Sequence, residues 1–142
     1  MKYILFSLTL LATTFLWLSC KHTKYTASKL PEKQIRWGTG GGFVGKEASH
    51  ILLENGQIFS RDIVGNTTED AKTKGKKAKA LFKSLETLGI AKMEFNHPGN
   101  MYSFLEFQDG DMVSRIVWGD KASSVGKPVE DFFSELNGLL KK

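Results

Sequence analysis

An uncharged run from Tyr3 to Leu18 sits behind a single lysine, Lys2, and ends on Ser19-Cys20. A positive start, an apolar core and a small residue before the processing point are the parts of a secretory signal. The run is about 16 residues, short of the roughly 20 that a membrane-spanning helix needs, so it fits a removed signal better than a retained anchor. What remains after residues 1–19 is about 120 residues, enough for one domain with one core. Cys20 is the only cysteine in the chain. Neither an internal disulfide nor a cysteine-based metal site can therefore form. Apolar packing has to hold the domain, and a hydrophobic content of 41% with 11% aromatics allows it.

Leu16-Trp17-Leu18-Ser19-Cys20 resembles the lipobox of bacterial lipoproteins. The resemblance implies cleavage by signal peptidase II just before Cys20, a diacylglycerol on its sulfur and a further acyl chain on the new amino group. Trp17 departs from the motif, which prefers a Leu-like residue there. The expected organisation is a signal over 1–19, a lipidated Cys20 with a polar tether over 20–32, and one domain over 33–142. The tether reading follows from KHTKYTASKLPE, which is polar, has no apolar periodicity and carries Pro31 near its end.

The formal net charge is +5, which points to nucleic acid or an anionic surface as a partner. Export removes nucleic acid and the nucleotide pools from consideration. Much of the excess lies in one run, Lys72, Lys74, Lys76, Lys77, Lys79 and Lys83. It reads either as a solvated helix face or as a contact with phosphate head groups beside the anchor.

Alternating apolar residues and turn signals divide the domain. Gln34 to Trp37 reads as a short strand stopped by Gly38-Thr39-Gly40-Gly41-Gly42. Ala48 to Leu53 and Gln57 to Ile63 read as a hairpin about Asn55-Gly56, both positions needing positive φ. A helix over Glu47 to Glu54 is the competing reading. Residues 65–73 are expected to be a polar loop, and Lys74 to Leu88 a helix with Ala78, Leu81, Phe82, Leu85 and Leu88 on one stripe. Gly89 supplies its positive-φ stop. Ile90 to Phe95 adds a short extended piece, and Met101 to Phe107 with Met112 to Trp118 forms a second hairpin. Pro128 opens a last helix whose stripe is Val129, Phe132, Phe133, Leu136, Leu139 and Leu140. The expected fold is α+β, with one antiparallel sheet of about five strands in the order β-β-β-α-β-β-α and both helices on one face.

Gly40-Gly41-Gly42-Phe43-Val44-Gly45 fits G-x-G-x-x-G, and with Lys46 it fits the start of a phosphate-binding loop. Glu47 breaks that motif, standing where Ser or Thr would bind magnesium. The expectation is a wide turn, with positive φ at Gly41 or Gly42 and Phe43 folded back on the core. So bare a loop also suits a contact surface, making Gly40, Gly41, Gly42, Phe43 and Gly45 a candidate interaction loop. A second candidate is a small binding edge of Asn96, Asn100, Tyr102, Trp118 and Asp120, gathered at one end of the second hairpin. Catalytic signals are missing. His22, His50 and His97 lack metal-ligand spacing, no G-x-S-x-G occurs, and Asp62, Glu69, Asp70, Glu94, Glu106, Asp109, Asp111 and Asp120 are scattered. The sequence proposes no enzyme, cofactor or metal.

Ile35-Arg36-Trp37 followed by Gly41-Gly42-Phe43-Val44-Gly45 resembles small lipoproteins of Bacteroidota-type bacteria. The Lys21-rich start, without an acidic cluster, looks like that of an outer-membrane lipoprotein facing the periplasm more than a surface-exported one. The Gly-Gly-Phe-x-Gly stretch is also similar to emfourin-type inhibitors of thermolysin-like metalloproteases, although their inhibitory loop has no counterpart here. Three functions are therefore carried forward. They are a lipid-anchored binding domain for an envelope protein or other component, a protease inhibitor, and a small hydrolase with a dispersed acidic site.

Overall fold

In the computed structural model residues 23–141 are described; the signal segment, Cys20 and His22 lie outside them. Seven strands form one sheet: β1 (Gln34–Gly41), β2 (Lys46–Leu53), β3 (Gln57–Arg61), β4 (Thr67–Lys72), β5 (Phe95–His97), β6 (Met101–Asp109) and β7 (Met112–Trp118). Their order across the sheet is β4-β3-β2-β1-β6-β7-β5. All neighbours are antiparallel except β5 and β7, which run parallel. Helix α1 (Gly75–Thr87) follows β4, a single 3-10 turn (Ile90–Lys92) leads into β5, and helix α2 (Lys127–Gly138) closes the chain.

The α+β class and the two helices agree with expectation; the strand count and the purely antiparallel sheet do not. Residues 67–72 form a strand although their side chains are mostly exposed and polar. Backbone pairing to β3 supports them, a contribution that hydrophobic alternation does not report. β5 is three residues long, too short for any pattern to announce it. β1 also runs on to Gly41, past the glycines expected to end it.

Gly38 shows why it continues. A Cβ at this buried position would lie 2.1 Å from the Ala48 carbonyl oxygen. The glycine is what lets β2 approach here, not what breaks the strand. At Gly40, a Cβ would meet the Tyr102 ring at 2.7 Å. The aromatic ring of β6 thus lies over a strand position that carries no side chain.

The β2–β3 connection is a hairpin, but its turn differs from the expected type. Gly56 N–H donates to the Leu53 carbonyl at 2.9 Å, and Gly56 alone takes positive φ, at 91°. This is a turn closed by a left-handed glycine. Asn55 instead uses its side-chain oxygen to accept from Gln57 N–H at 2.9 Å.

Both helices cover one face of the sheet. Ile35, Trp37, Leu52, Ile58, Leu105, Phe107 and Ile116 pack there against Ala78, Leu81, Phe82 and Leu85 of α1 and Val129, Phe132 and Leu136 of α2. The apolar stripes are therefore assigned correctly in the main. Leu88 is the exception, half exposed just past the end of α1. Gly89 follows with φ 73°, the stop its position implies. α1 has no side-chain cap and no acidic residue in its first turn.

The opposite face carries a smaller cluster, Ile51, Leu53 and Phe59, covered by Tyr25 and Leu30. Both covering residues belong to the stretch expected to be a free tether. Tyr25 N–H donates to Gln57 Oε1 at 2.7 Å, and Gln57 Nε2 donates back to the Tyr25 carbonyl at 3.1 Å. Asn55 Nδ2 donates to the Thr23 carbonyl at 2.7 Å. The domain thus begins by residue 23, ten positions before the expected boundary, because two isolated apolar residues suffice to seal three others.

Candidate functional site

Strand directions sort the loops into two ends. β1 and β3 run toward one end and β2 and β4 return from it, so residues 42–45 and 62–66 lie together there. The start of β6, at Met101 opposite Gly41, and the ends of β5 and β7 join them. The chain enters at the other end, where Thr23 meets the β2–β3 turn.

Residues 42–45 form a tight turn, with Gly45 N–H donating to the Gly42 carbonyl at 3.2 Å. Gly41, Gly42 and Gly45 adopt φ values of 94°, 69° and 62°, closed to most side chains. The positive φ expected at Gly41 or Gly42 is present at both. The corner positions are Phe43 and Val44, and Phe43 is not folded back. It is fully exposed and Val44 is 64% exposed. A glycine backbone this tight leaves the two corner side chains nothing of their own to pack on. Gly42 N–H donates to the Asn100 carbonyl at 2.7 Å, tying the turn to the strand beside it. Met101, 58% exposed, adds to the same tip.

The β3–β4 connection presents a second apolar pair, Ile63 and Val64. Asp62 shapes that loop. Its Oδ1 accepts from Val64 N–H and Asn66 N–H, both at 2.9 Å, and its Oδ2 accepts from Asn66 Nδ2 at 2.9 Å. Chiefly through the Asn66 side chain, and then the backbone N–H groups, these bonds hold the Asp62 carboxyl below its ordinary value. A depressed carboxyl stabilises the loop fully above the unfolded value of about 3.9. That stability is lost as pH falls through the folded value. Titration by NMR should give Asp62 a midpoint below that of a free aspartate, with loss of amide protection at Asn66 over the same range. An unshifted midpoint would remove Asp62 as the organiser of this loop.

Of the eight large apolar side chains exposed among the described residues, five are Phe43, Val44, Ile63, Val64 and Met101. All five lie at this one end. Sequence inspection found the glycine turn but not Ile63-Val64, because only the sheet order brings the two hairpin tips to the same end.

The candidate binding edge lies at this same end, and Tyr102 and Trp118 line one shallow surface pocket with Met101 and Gly119, but its five side chains do not point to one place. Asn96 and Asn100 are exposed. Tyr102 lies on the helix-free face, where it donates to Glu47 Oε1 at 2.9 Å. Trp118 opposes Ser103, one residue on, and so points to the helix face, packed edge-on against Phe133 at 5.0 Å. Asp120 is taken up by its own loop, accepting from Ala122 N–H at 3.1 Å.

Two polar clusters form without any signal in the sequence. On the helix-free face Glu47 and Glu106 are bridged by Arg36, at 3.4 and 3.5 Å, and by Arg115, at 3.0 Å to Glu106 and in a short contact to Glu47. Both guanidinium groups lie over the buried Phe104 ring, at 5.3 and 4.1 Å from its centre. Two acids are matched by two arginines, so the cluster binds four strands together and leaves no acid free for proton transfer. Burial, and then the bonded Glu47 carboxylate, push the Tyr102 phenol above its ordinary value.

The second cluster is His50, Ser60 and Asp70. His50 Nδ1 lies 2.9 Å from Ser60 Oγ, and Ser60 Oγ donates to Asp70 Oδ2 at 2.7 Å. A nucleophilic triad needs the serine proton directed at the histidine; here it is directed at the carboxylate. Burial beside Trp37 also lowers the His50 imidazole, against an opposing pull from Asp70. The segment after Gly45 is strand β2, so the helix N-terminus that completes a phosphate-binding loop is not formed there. Among the described residues no group of three or more His, Cys, Asp or Glu is placed to hold a metal ion. Nor is any described helix long and apolar enough to cross a membrane.

No protein-family model matches the sequence, and no curated protein matches it as a relative.

Proposed function

We propose that the chain is a lipid-anchored envelope protein whose glycine-turn end captures a protein partner without catalysis. One observation carries this reading: among the described residues, five of the eight exposed large apolar side chains lie at the sheet end remote from Thr23. Isolated exposed apolar residues are ordinary, whereas their gathering on shaped turns suits a protein contact. Burying Phe43 alone would contribute about 1.5–3 kcal/mol to association. The lipobox-like Leu16 to Cys20 supplies the anchor, and the outer membrane facing the periplasm is the proposed site.

A photo-reactive residue at position 43 of the full-length chain, in intact cells, tests the contact. It should give discrete protein adducts that Val44→Ser weakens, while the same group at Leu88, exposed elsewhere, should not. Matching adduct patterns from the two positions would end the reading. Intact-mass analysis of the membrane-extracted protein should show acyl chains on a chain starting at Cys20.

Inhibition of a thermolysin-like protease is a second reading, supported by the corner position of Phe43 on a short turn tied to Asn100. It requires stoichiometric inhibition that Phe43→Ala abolishes; full protease activity at equimolar protein would discard it.

A further inference from the structure

The six lysines of the run from Lys72 to Lys83 are all exposed. None of them has an ion-pair partner among the described residues; the lysines that do are Lys24, Lys33 and Lys127. The topology fixes where the first four of them sit. Thr73 N–H donates to the Gly56 carbonyl at 2.8 Å, which holds the β4–α1 junction against the β2–β3 turn. The same turn receives the start of the described chain, through Asn55 and Thr23. Lys72, Lys74, Lys76 and Lys77 therefore flank a junction held beside the turn that receives Thr23, from which the chain continues back toward Cys20. Only Lys21 and His22 separate Thr23 from Cys20, three residue steps with a reach of at most about 11 Å even fully extended.

Several acidic groups at this end are taken up by other lysines, while Glu32 and Asp111 are exposed there beside the β6–β7 turn. Glu54, Glu86 and Asp109 converge on Lys33, at 3.3, 3.8 and 3.7 Å, where β1 begins. Glu69, on β4, faces Lys24 at 3.9 Å. Lysines beside the first turn of α1 oppose the helix dipole, so helix stability does not account for their number.

We propose that Lys72, Lys74, Lys76 and Lys77 rest on the anionic phospholipid head groups around the Cys20 anchor. This inference rests on the anchored reading given above and adds an orientation to it. The sheet stands on the membrane by its lysine corner, and the Phe43 tip points away. Eight residues of β1 separate the two ends, about 26 Å at strand rise. That distance clears the head-group layer and leaves the tip free for a partner. The length of chain outside the structure supports the arrangement. A lipid held within about 11 Å of Thr23 keeps this corner at a distance comparable to the Debye length, roughly 8–10 Å at about 0.1–0.15 M salt.

The test uses the full-length lipidated protein in vesicles of phosphatidylglycerol and phosphatidylcholine, with pure phosphatidylcholine vesicles as the comparison. A water-soluble amine-acylating reagent is applied and labelling is read lysine by lysine by mass spectrometry. Lys46 and Lys121, exposed at the far end, are the internal standards. In anionic vesicles the four lysines should label at least about fivefold more slowly than the standards, the factor expected for one lysine at an anionic surface. The protection should disappear in neutral vesicles and in high salt. Protein that floats with anionic vesicles but labels uniformly overturns the docking and leaves the anchor standing. Protein that does not float overturns both. Protection that persists unchanged in neutral vesicles overturns the electrostatic account. Gln at all four positions should keep flotation, which the lipid supplies, and abolish any slowed labelling of neighbouring Lys79; Lys79 still protected in that variant would overturn the role of the four lysines.

Discussion

Replacing Trp37 with alanine should lower the melting temperature by about 10–20 °C, the equivalent of roughly 3–5 kcal/mol. Trp37 is fully buried at the middle of the central strand β1. Its ring lies 5.4 Å from that of His50, and its Nε1 donates to Asn137 Oδ1 on α2 at 3.1 Å. One side chain thus joins the sheet, a polar neighbour and the last helix. Alanine leaves a cavity and removes the link to Asn137 together. Against typical stabilities of about 5–15 kcal/mol, a domain without disulfides loses much of its margin. Trp37→Phe should cost far less, on the order of 1 kcal/mol for the lost hydrogen bond, since Asn137 is partly exposed and water can replace the donor. Phe82→Ala and Phe132→Ala should approach the Trp37→Ala effect, and Phe133→Ala should fall short because its ring is only half buried against Trp118. Thermal and urea unfolding of the soluble domain measures all five. A Trp37→Ala midpoint within a few degrees of wild type would mean that the helices do not depend on this contact.

The second large effect is expected from the point at which a soluble domain is cut. A chain starting at Lys33 should be less stable than one starting at Thr23 by about 2–5 kcal/mol, on burial of roughly 1.5–3 kcal/mol per fully covered side chain. Removing Tyr25 and Leu30 uncovers Ile51, Leu53 and Phe59, which are 2%, 0% and 1% exposed. It also takes two backbone partners from Gln57, itself 1% exposed. Leu30→Ser in the longer chain should fall between the two. Urea titration with the two lengths side by side decides it. Equal midpoints would show that the segment merely lies on the sheet, restoring residues 23–32 to the status of a tether.

The helices were legible because each carries its reason locally. Leu81, Phe82 and Leu85 on one stripe need a partner surface, and Gly89 stops α1 wherever the helix packs. The turn glycines were legible for the same kind of reason. Positive φ at Gly41 and Gly42 follows from backbone sterics, whatever the neighbours.

Other glycines misled. Gly38 and Gly40 look like turn residues beside Gly41 and Gly42, yet they are strand positions set by the Ala48 carbonyl and the Tyr102 ring. Those contacts come from strands 10 and more than 60 positions away, and no local pattern encodes them. Tyr25 and Leu30 were missed likewise, since two apolar residues among polar ones show no periodicity. β4 was missed because its strand character lies in backbone bonds to β3 and not in its side chains.

The candidate site divides along the same line. From the residues alone came the single cysteine behind an apolar run, the lysine run and a glycine turn holding Phe43. Each is a matter of local chemistry: a thiol, a charge density, a backbone freedom. Only the tertiary structure decided that Phe43 is exposed, that Ile63 and Val64 share its end, and that the lysines gather where the chain enters. Ends and faces are properties of strand order and direction. Those are set by pairings between distant segments, and they exist only once the sheet has formed.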